Sequence, residues 1–211
     1  KDKSDPANHD RFKKFSLLPI LTSLREICVD PGAFYDGFDE ESTKFSYVKT
    51  LLDSLLPSGH KVLIFSSFTK VLDDLEKQLS LHGVACYNLQ GKTAAKDRLA
   101  MTNAFNTSDD VMVMLVSLKA GGTGLNLPGA DFVIHLDPWW NWAAESQATD
   151  RAYRIGQTHP VTVLKLICHD SIEEKVVALQ QEKEKLYHDV IDQKPGALSS
   201  LTEEDIDFLL S

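Results

Sequence analysis

An α/β fold, a parallel sheet doubly wound with helices on both faces, is what this sequence predicts, and three observations carry that expectation. The middle of the chain alternates short apolar, β-branched runs with stretches of helical period. The alternation repeats several times, as it does when each buried strand is followed by a covering helix. A glycine-rich stretch then follows one of the apolar runs, at the strand end where such sheets bind ligands. With 211 residues, 43% of them hydrophobic, the chain can bury one α/β core plus some appended helix.

Taken in order, the elements begin with an amphipathic helix over 12–27, stopped by Asp30, Pro31 and Gly32. Residues 36–42 (DGFDEES) form an acidic connection, and order resumes near Phe45. The first strand is 61–68 (KVLIFSSF), followed by a helix over 70–82 that Gly83 closes. A strand over 84–89, a helix over 94–105 and strands over 111–118 (VMVMLVSL) and 132–136 continue the cycle. Asn141 is placed to cap the next helix, which carries SQATDRAYRIGQ (146–157), and 161–168 supplies a last strand. Ser171 and Glu174 then suggest a capping box for a long helix to about Ile191, with Ile172, Val176, Leu179, Leu186 and Val190 along one stripe. Lys194, Pro195 and Gly196 break it, and a second capping box, Thr202 to Asp205, opens a short terminal helix. The expected organisation is a helical segment and acidic connection over 1–45, the α/β unit over 46–168, and C-terminal helices over 169–211.

The net charge of −9 argues against a uniformly basic nucleic-acid binder. Its distribution softens that argument. Residues 87–165 hold seven basic and seven acidic side chains, whereas 166–211 hold four and eleven, so most of the excess acid lies at the C-terminal end and the middle can still present a basic face. Cys28, Cys86 and Cys168 are odd in number and lack close pairing, which argues against a disulfide framework and a zinc site. No apolar run approaches the length of a membrane span, and no leader is evident, so a soluble intracellular protein is expected.

The chemistry is marked first by what is missing. No G-x-x-x-x-G-K-[ST] loop and no strand-end Asp-Glu pair for Mg²⁺ is present, so this chain alone should not hydrolyse a nucleotide. The stretch AGGTGLNLPGA (120–130) departs from the dinucleotide fingerprint, because Leu127 stands where its third glycine belongs and Pro128 would interrupt the helix. A plain turn is the alternative. Arg151 and Arg154, three apart on the expected helix with Gln147 one turn earlier, project from one face. Guanidinium forks suit phosphate oxygens, although an exposed pair bridged to Asp150 or Glu145 is the simpler account of the motif alone.

Several motifs in order change that weighting. LREICVDP (24–31), KVLIFSSFTKVLDDLE (61–76), LQGKTAAKDRLAMTNAFN (89–106), SLKAGGTGLNL (117–127), DFVIHLDPWWN (131–141) and ESQATDRAYRIGQ (145–157) together resemble the C-terminal half of a Swi/Snf-type ATPase motor of the second helicase superfamily. The resemblance spans about 24–168 and implies a RecA-like (P-loop NTPase-type) lobe. In such motors the other, N-terminal RecA-like lobe holds the P-loop, ATP and Mg²⁺, and the second supplies arginine fingers. Arg151 and Arg154, with Gln147, are thereby expected to reach ATP phosphates, where an arginine finger contributes about 10³–10⁵ in rate.

The same resemblance places Gly122, Thr123 and Gly124 near the nucleotide cleft, and Ser66, Ser67, Gly91, Thr93 and Lys119 on the DNA backbone. Trp140 aligns with a tryptophan at the minor groove. Adjacent residues of an extended segment point oppositely, so Trp139 is expected inward and Trp140 outward. No resident metal is expected in this lobe. Strand-separating members often read Q-R-x-G-R-x-x-R, whereas Ala148 and Asp150 stand at the second and fourth places here; this favours a double-strand translocase. Glu26, Val29 and Asp30 depart from L-R-Q-I-C-N-H-P, and Tyr153 stands where many members have His. The expected whole is a DNA-stimulated ATPase of nucleus or nucleoid that remodels protein–DNA complexes, this chain being a piece of it and inactive alone. The rivals are a motor acting on RNA polymerase or repair complexes and a non-catalytic partner-binding module.

Overall fold

The computed structural model describes residues 6–35, 37–121, 125–152, 160–189 and 201–211. Five parallel strands, β1 (Val62–Ser66), β2 (Cys86–Leu89), β3 (Val113–Ser117), β4 (Phe132–His135) and β5 (Thr162–Lys165), lie in the order β2-β3-β1-β4-β5. The register is continuous across the sheet: Ile64 is opposite Leu115 on one side and Ile134 on the other. β1, β3 and most of β4 are buried along their whole length, which is why their sequences run apolar instead of alternating.

Alternation instead sorts the strands' side chains between two cores. Val62, Ile64, Val113, Leu115 and Ile134 face Val48 and Leu52 of α3 (Thr43–Leu55) and Val71, Leu72, Leu75 and Leu79 of α4 (Thr69–Leu81). Leu63, Phe65, Met114, Val116 and Val133 face the opposite way. There they meet Phe105 of α5 (Ala95–Thr107), Ala120 of α6 (Leu118–Gly121) and Ala148 of α7 (Trp142–Thr149). The doubly wound, RecA-like α/β arrangement is thus borne out. Its five strands fall within the predicted runs, each trimmed at its ends.

The flanking helices build a third core beside the sheet. α1 (Pro6–Val29) contributes Leu17, Leu18 and Leu21, α8 (Ile172–Asp189) contributes Ile172, Val176 and Leu179, and α9 (Glu203–Leu210) contributes Ile206 and Leu209. α1 ends at Val29, as the Asp30-Pro31-Gly32 signal predicts, and Asp30 caps the single turn α2 (Pro31–Phe34) by accepting from the Gly32 N–H. The Thr202–Asp205 capping box of α9 is present in both directions. The box at Ser171 differs: its hydroxyl accepts from Glu173, not Glu174, because Glu173 is drawn inward to the buried ammonium of Lys44 at 2.7 Å. Leu186 and Val190, the end of the predicted stripe, have side chains outside the described residues.

Candidate functional site: the carboxyl edge of the sheet

The direction of chain winding reverses between β1 and β4, and in sheets of this kind ligands bind beyond the carboxyl ends of such neighbours. Just past the end of β4 lies Asp137, fully buried. One carboxylate oxygen accepts from the Ser66 hydroxyl at 2.7 Å and the Ser67 N–H at 3.0 Å. The other accepts from the Ser67 hydroxyl and from Nη2 of Arg25 at 2.7 Å. Arg25 comes from α1, is 1% exposed, and donates also to the Pro138 carbonyl at 2.8 Å. Burial lowers the pKa of Arg25 while Asp137 opposes that shift, and several charge-assisted hydrogen bonds hold the pair.

Beyond Asp137 the chain leaves the strand as Pro138-Trp139-Trp140. The expected division, Trp139 inward and Trp140 outward, is not found: the two rings stack at 4.6 Å and 26°, both half-buried. Alternation applies to strands, and β4 has already ended at His135. Trp140 also packs against the third core.

Other predicted residues converge on this edge. Ser67 is half-buried at the end of β1. Past β2, Gly91 is exposed and Thr93 closes a turn in which its hydroxyl accepts from the Gln90 N–H at 3.0 Å. Lys119, past β3, is exposed on α6, as is Gln147 on α7. Ser66 is a correction: it is fully buried, its hydroxyl donating to Asp137 and accepting from the Phe68 N–H at 3.1 Å, which leaves Ser67 as the serine near the surface.

The helix of the arginine motif is also shorter than predicted. Asn141 caps it, accepting from the Ala144 N–H, but α7 ends at Thr149. The Arg151 and Ala152 N–H groups reach back only three residues, to Ala148 and Thr149, and the Arg151 carbonyl accepts instead from Leu127 at 3.0 Å. Gln147 and Arg151 therefore do not share a helical face. Arg151 is buried, its Nη1 donating to the Leu125 carbonyl at 3.5 Å, and so ties the end of α7 to the segment after the glycines. Arg154, Tyr153, Gly122, Thr123 and Gly124 lie outside the described residues. Leu127 is wholly buried in the second core, the opposite of a glycine's role in a dinucleotide loop. Gly129 lets the chain pass close to α5, since a Cβ there would come within 3.1 Å of the Asn106 backbone.

The cysteines are free thiols. Burial pushes Cys86 up to about 12 and Cys168 up to about 11, so neither is a nucleophile near neutral pH. Among the described residues no helix is long and apolar enough to cross a membrane.

The sheet is a parallel RecA-like one, with Ser67, Gly91, Thr93 and Lys119 just beyond the carboxyl ends of its strands. Residues 43–156 match the family described as "Helicase conserved C-terminal domain", and the chain belongs to that family. It is 40% identical over 202 residues to the Drosophila melanogaster "SWI/SNF-related matrix-associated actin-dependent regulator of chromatin subfamily A containing DEAD/H box 1 homolog", covering 90% of this chain and 24% of that protein. It is 44% identical over 151 residues to the Schizosaccharomyces pombe "ATP-dependent helicase rhp16", covering 72% and 18%. The chain thus spans about a quarter or less of these relatives. Among solved structures, "Crystal structure of the C-terminal part of Fun30 ATPase domain" superposes with a TM-score of 0.69 at 34% identity, covering 89% of this chain and 60% of that one.

Sequence reasoning missed Arg25, Asp137 and Gln180 as members of one site. Arg25 and Asp137 sit inside motifs that were singled out, but nothing in the spacing says that they meet across 112 residues.

Proposed function

We propose that this lobe serves an ATP-dependent translocase on double-stranded DNA, one that remodels protein–DNA complexes. The observation that carries the reading is the convergence of Ser67, Gly91, Thr93, Lys119 and Trp140 on the carboxyl edge of one sheet, with relatives named as ATP-dependent helicases. Hydroxyls, backbone N–H groups and an ammonium are what bind a phosphate backbone without reading bases. ATP and Mg²⁺ would be held mainly by the N-terminal RecA-like lobe of the same polypeptide. Arg154 and Arg151, with Gln147, would complete the phosphate site once the lobes close, and the glycines at 122 and 124 with Thr123 would lie beside the nucleotide.

The buried position of Arg151 gives it a specific part: it fixes the segment after the glycines to the arginine motif, so nucleotide contact at one is felt at the other. Supplying charge across a cleft makes closure a condition of hydrolysis. The isolated lobe would then be inactive and bind DNA weakly, holding only part of the phosphate contacts. The proposed setting is soluble and intracellular, at chromatin or a nucleoid. The test is ATP hydrolysis by this chain combined with the upstream part of its own gene product, with and without duplex DNA. Wild type should hydrolyse on adding DNA, and Arg154→Ala should lose about 10³-fold or more in rate. Hydrolysis indifferent to that substitution would move the partner-binding alternative to the front.

A further inference from the structure

The Pro138-Trp139-Trp140 segment is gripped from three directions, and two of the grips come from helices outside the family match at 43–156. From α1, Arg25 donates to the Pro138 carbonyl and lays its guanidinium carbon 5.1 Å from the Trp139 ring centre and 4.6 Å from that of Trp140. From α8, Gln180 donates to the Trp139 carbonyl and, at 2.9 Å, to Glu145. From α7, Glu145 accepts from the Trp139 N–H at 2.9 Å and pairs with Lys165 of β5. Arg25, Glu145 and Gln180 are each no more than 3% exposed. Burial alone would raise the pKa of Glu145, but His135, Lys165 and the Trp139 N–H outweigh it and hold the carboxyl below its ordinary range.

Burying an arginine, a glutamate and a glutamine around two backbone amides is costly unless every group is paired. Apolar residues would close the same gap more simply. What the polar arrangement does that apolar packing would not is set the direction of one short segment, because hydrogen bonds to its N–H and C=O groups and a planar cation on its rings each fix an orientation.

We infer that Arg25 and Gln180 are positioning residues that hold the stacked Trp139–Trp140 pair at the carboxyl edge, so that the flanking helices set the geometry of the DNA contact. The inference rests on the proposed function for what the pair touches, but not for how it is held. Arg25→Lys keeps a positive charge opposite Asp137 and loses the planar group beneath the rings. Gln180→Met keeps the volume and loses the hydrogen bonds to Trp139 and Glu145.

Both variants, with Trp140→Ala and the double variants, are made in the complete motor. Two quantities are read: the duplex concentration that half-saturates ATP hydrolysis, and the exciton couplet of the stacked indoles in circular dichroism, taken as a difference from Trp140→Phe. Arg25→Lys and Gln180→Met should each weaken the couplet. Each should also raise the half-saturating duplex concentration about tenfold, the scale of one desolvated cation–π or charge-assisted contact, with a much smaller change in rate at saturating DNA. In a Trp140→Ala background that tenfold shift should vanish, since residues acting through a common partner are not additive. A couplet that survives both substitutions, or a shift of equal size with and without Trp140, overturns the inference. A lost couplet in a motor whose DNA half-saturation ignores Trp140→Ala supports the positioning and overturns the DNA contact instead.

Discussion

The two ends of the sheet both use charged residues, and they use them differently. At the amino end Asp131 accepts from the Lys61 N–H at 3.1 Å and meets His60 at 2.6 Å. Lys61 donates to the carbonyls of Phe105 and Ser108 at the end of α5. Every partner there lies on the element being finished or the one beside it, and His60 and Asp131 remain partly in water. At the carboxyl end Asp137, Arg25, Ser66, Ser67, Glu145 and Gln180 are linked across α1, β1, α7 and α8, mostly out of water. The first arrangement ties the starts of β1 and β4 to the end of α5; the second ties the flanking helices to the edge proposed to meet DNA. Water can replace a lost partner at the first and not at the second.

Asp137→Ala should therefore be the most damaging single change, because it strands the buried guanidinium of Arg25 and two serine hydroxyls. The expected loss is about 3–5 kcal/mol, the cost of breaking a buried ion pair, seen as a fall in the urea midpoint at unchanged slope. Glu173→Ala, which strands Lys44, should fall in the same range if depth is what matters, and its failure to do so would show that Asp137 owes its importance to its particular partners. Asp131→Ala, at the wetter end, should cost only about 1 kcal/mol, as for a partly exposed pair. A loss as large as that of Asp137→Ala would erase the contrast. Thr202→Ala, removing the capping box of α9, should also cost about 1 kcal/mol.

A smaller, pH-dependent effect sharpens the same contrast. Burial lowers the pKa of His135, with Glu145 opposing and Lys165 reinforcing it; the ring is fully buried, with Nε2 3.0 Å from the Thr149 hydroxyl. Its folded pKa is below its unfolded one, so the stability it contributes is present above about pH 6.5, the ordinary value. It is lost as pH falls toward the folded pKa, because the unfolded chain takes up the proton first. His135→Gln should flatten the fall in thermal midpoint between pH 6.5 and 5.

Much of this was legible before any coordinates. The strands announced themselves because strands buried on both faces must be apolar throughout, and Asn141 and Thr202 marked helix starts because capping is local chemistry. The carboxyl-edge gathering of Ser67, Gly91, Thr93 and Lys119 followed from where the strand ends fall. What escaped was tertiary. Arg151 leaves the helix because its carbonyl is taken by Leu127, a bond no helical period encodes, and Ser66 turns inward because Asp137 waits beneath it. The stacking of Trp139 on Trp140 depends on Arg25, Glu145 and Gln180, which reach that segment from three separate stretches of sequence. Resemblance supplied the motor and the arginines, and geometry supplied the grip on the tryptophans.

The most direct test of the contrast between the two ends is a titration of ATP hydrolysis by the complete motor with duplex DNA, comparing wild type, Trp140→Ala and Asp131→Ala side by side. Trp140→Ala should raise the half-saturating DNA concentration about tenfold or more, in line with losing one aromatic contact to nucleic acid, while Asp131→Ala should leave it where it is. Equal curves for Trp140→Ala and wild type, or a shift confined to Asp131→Ala, would contradict the assignment of the carboxyl edge as the face that meets DNA.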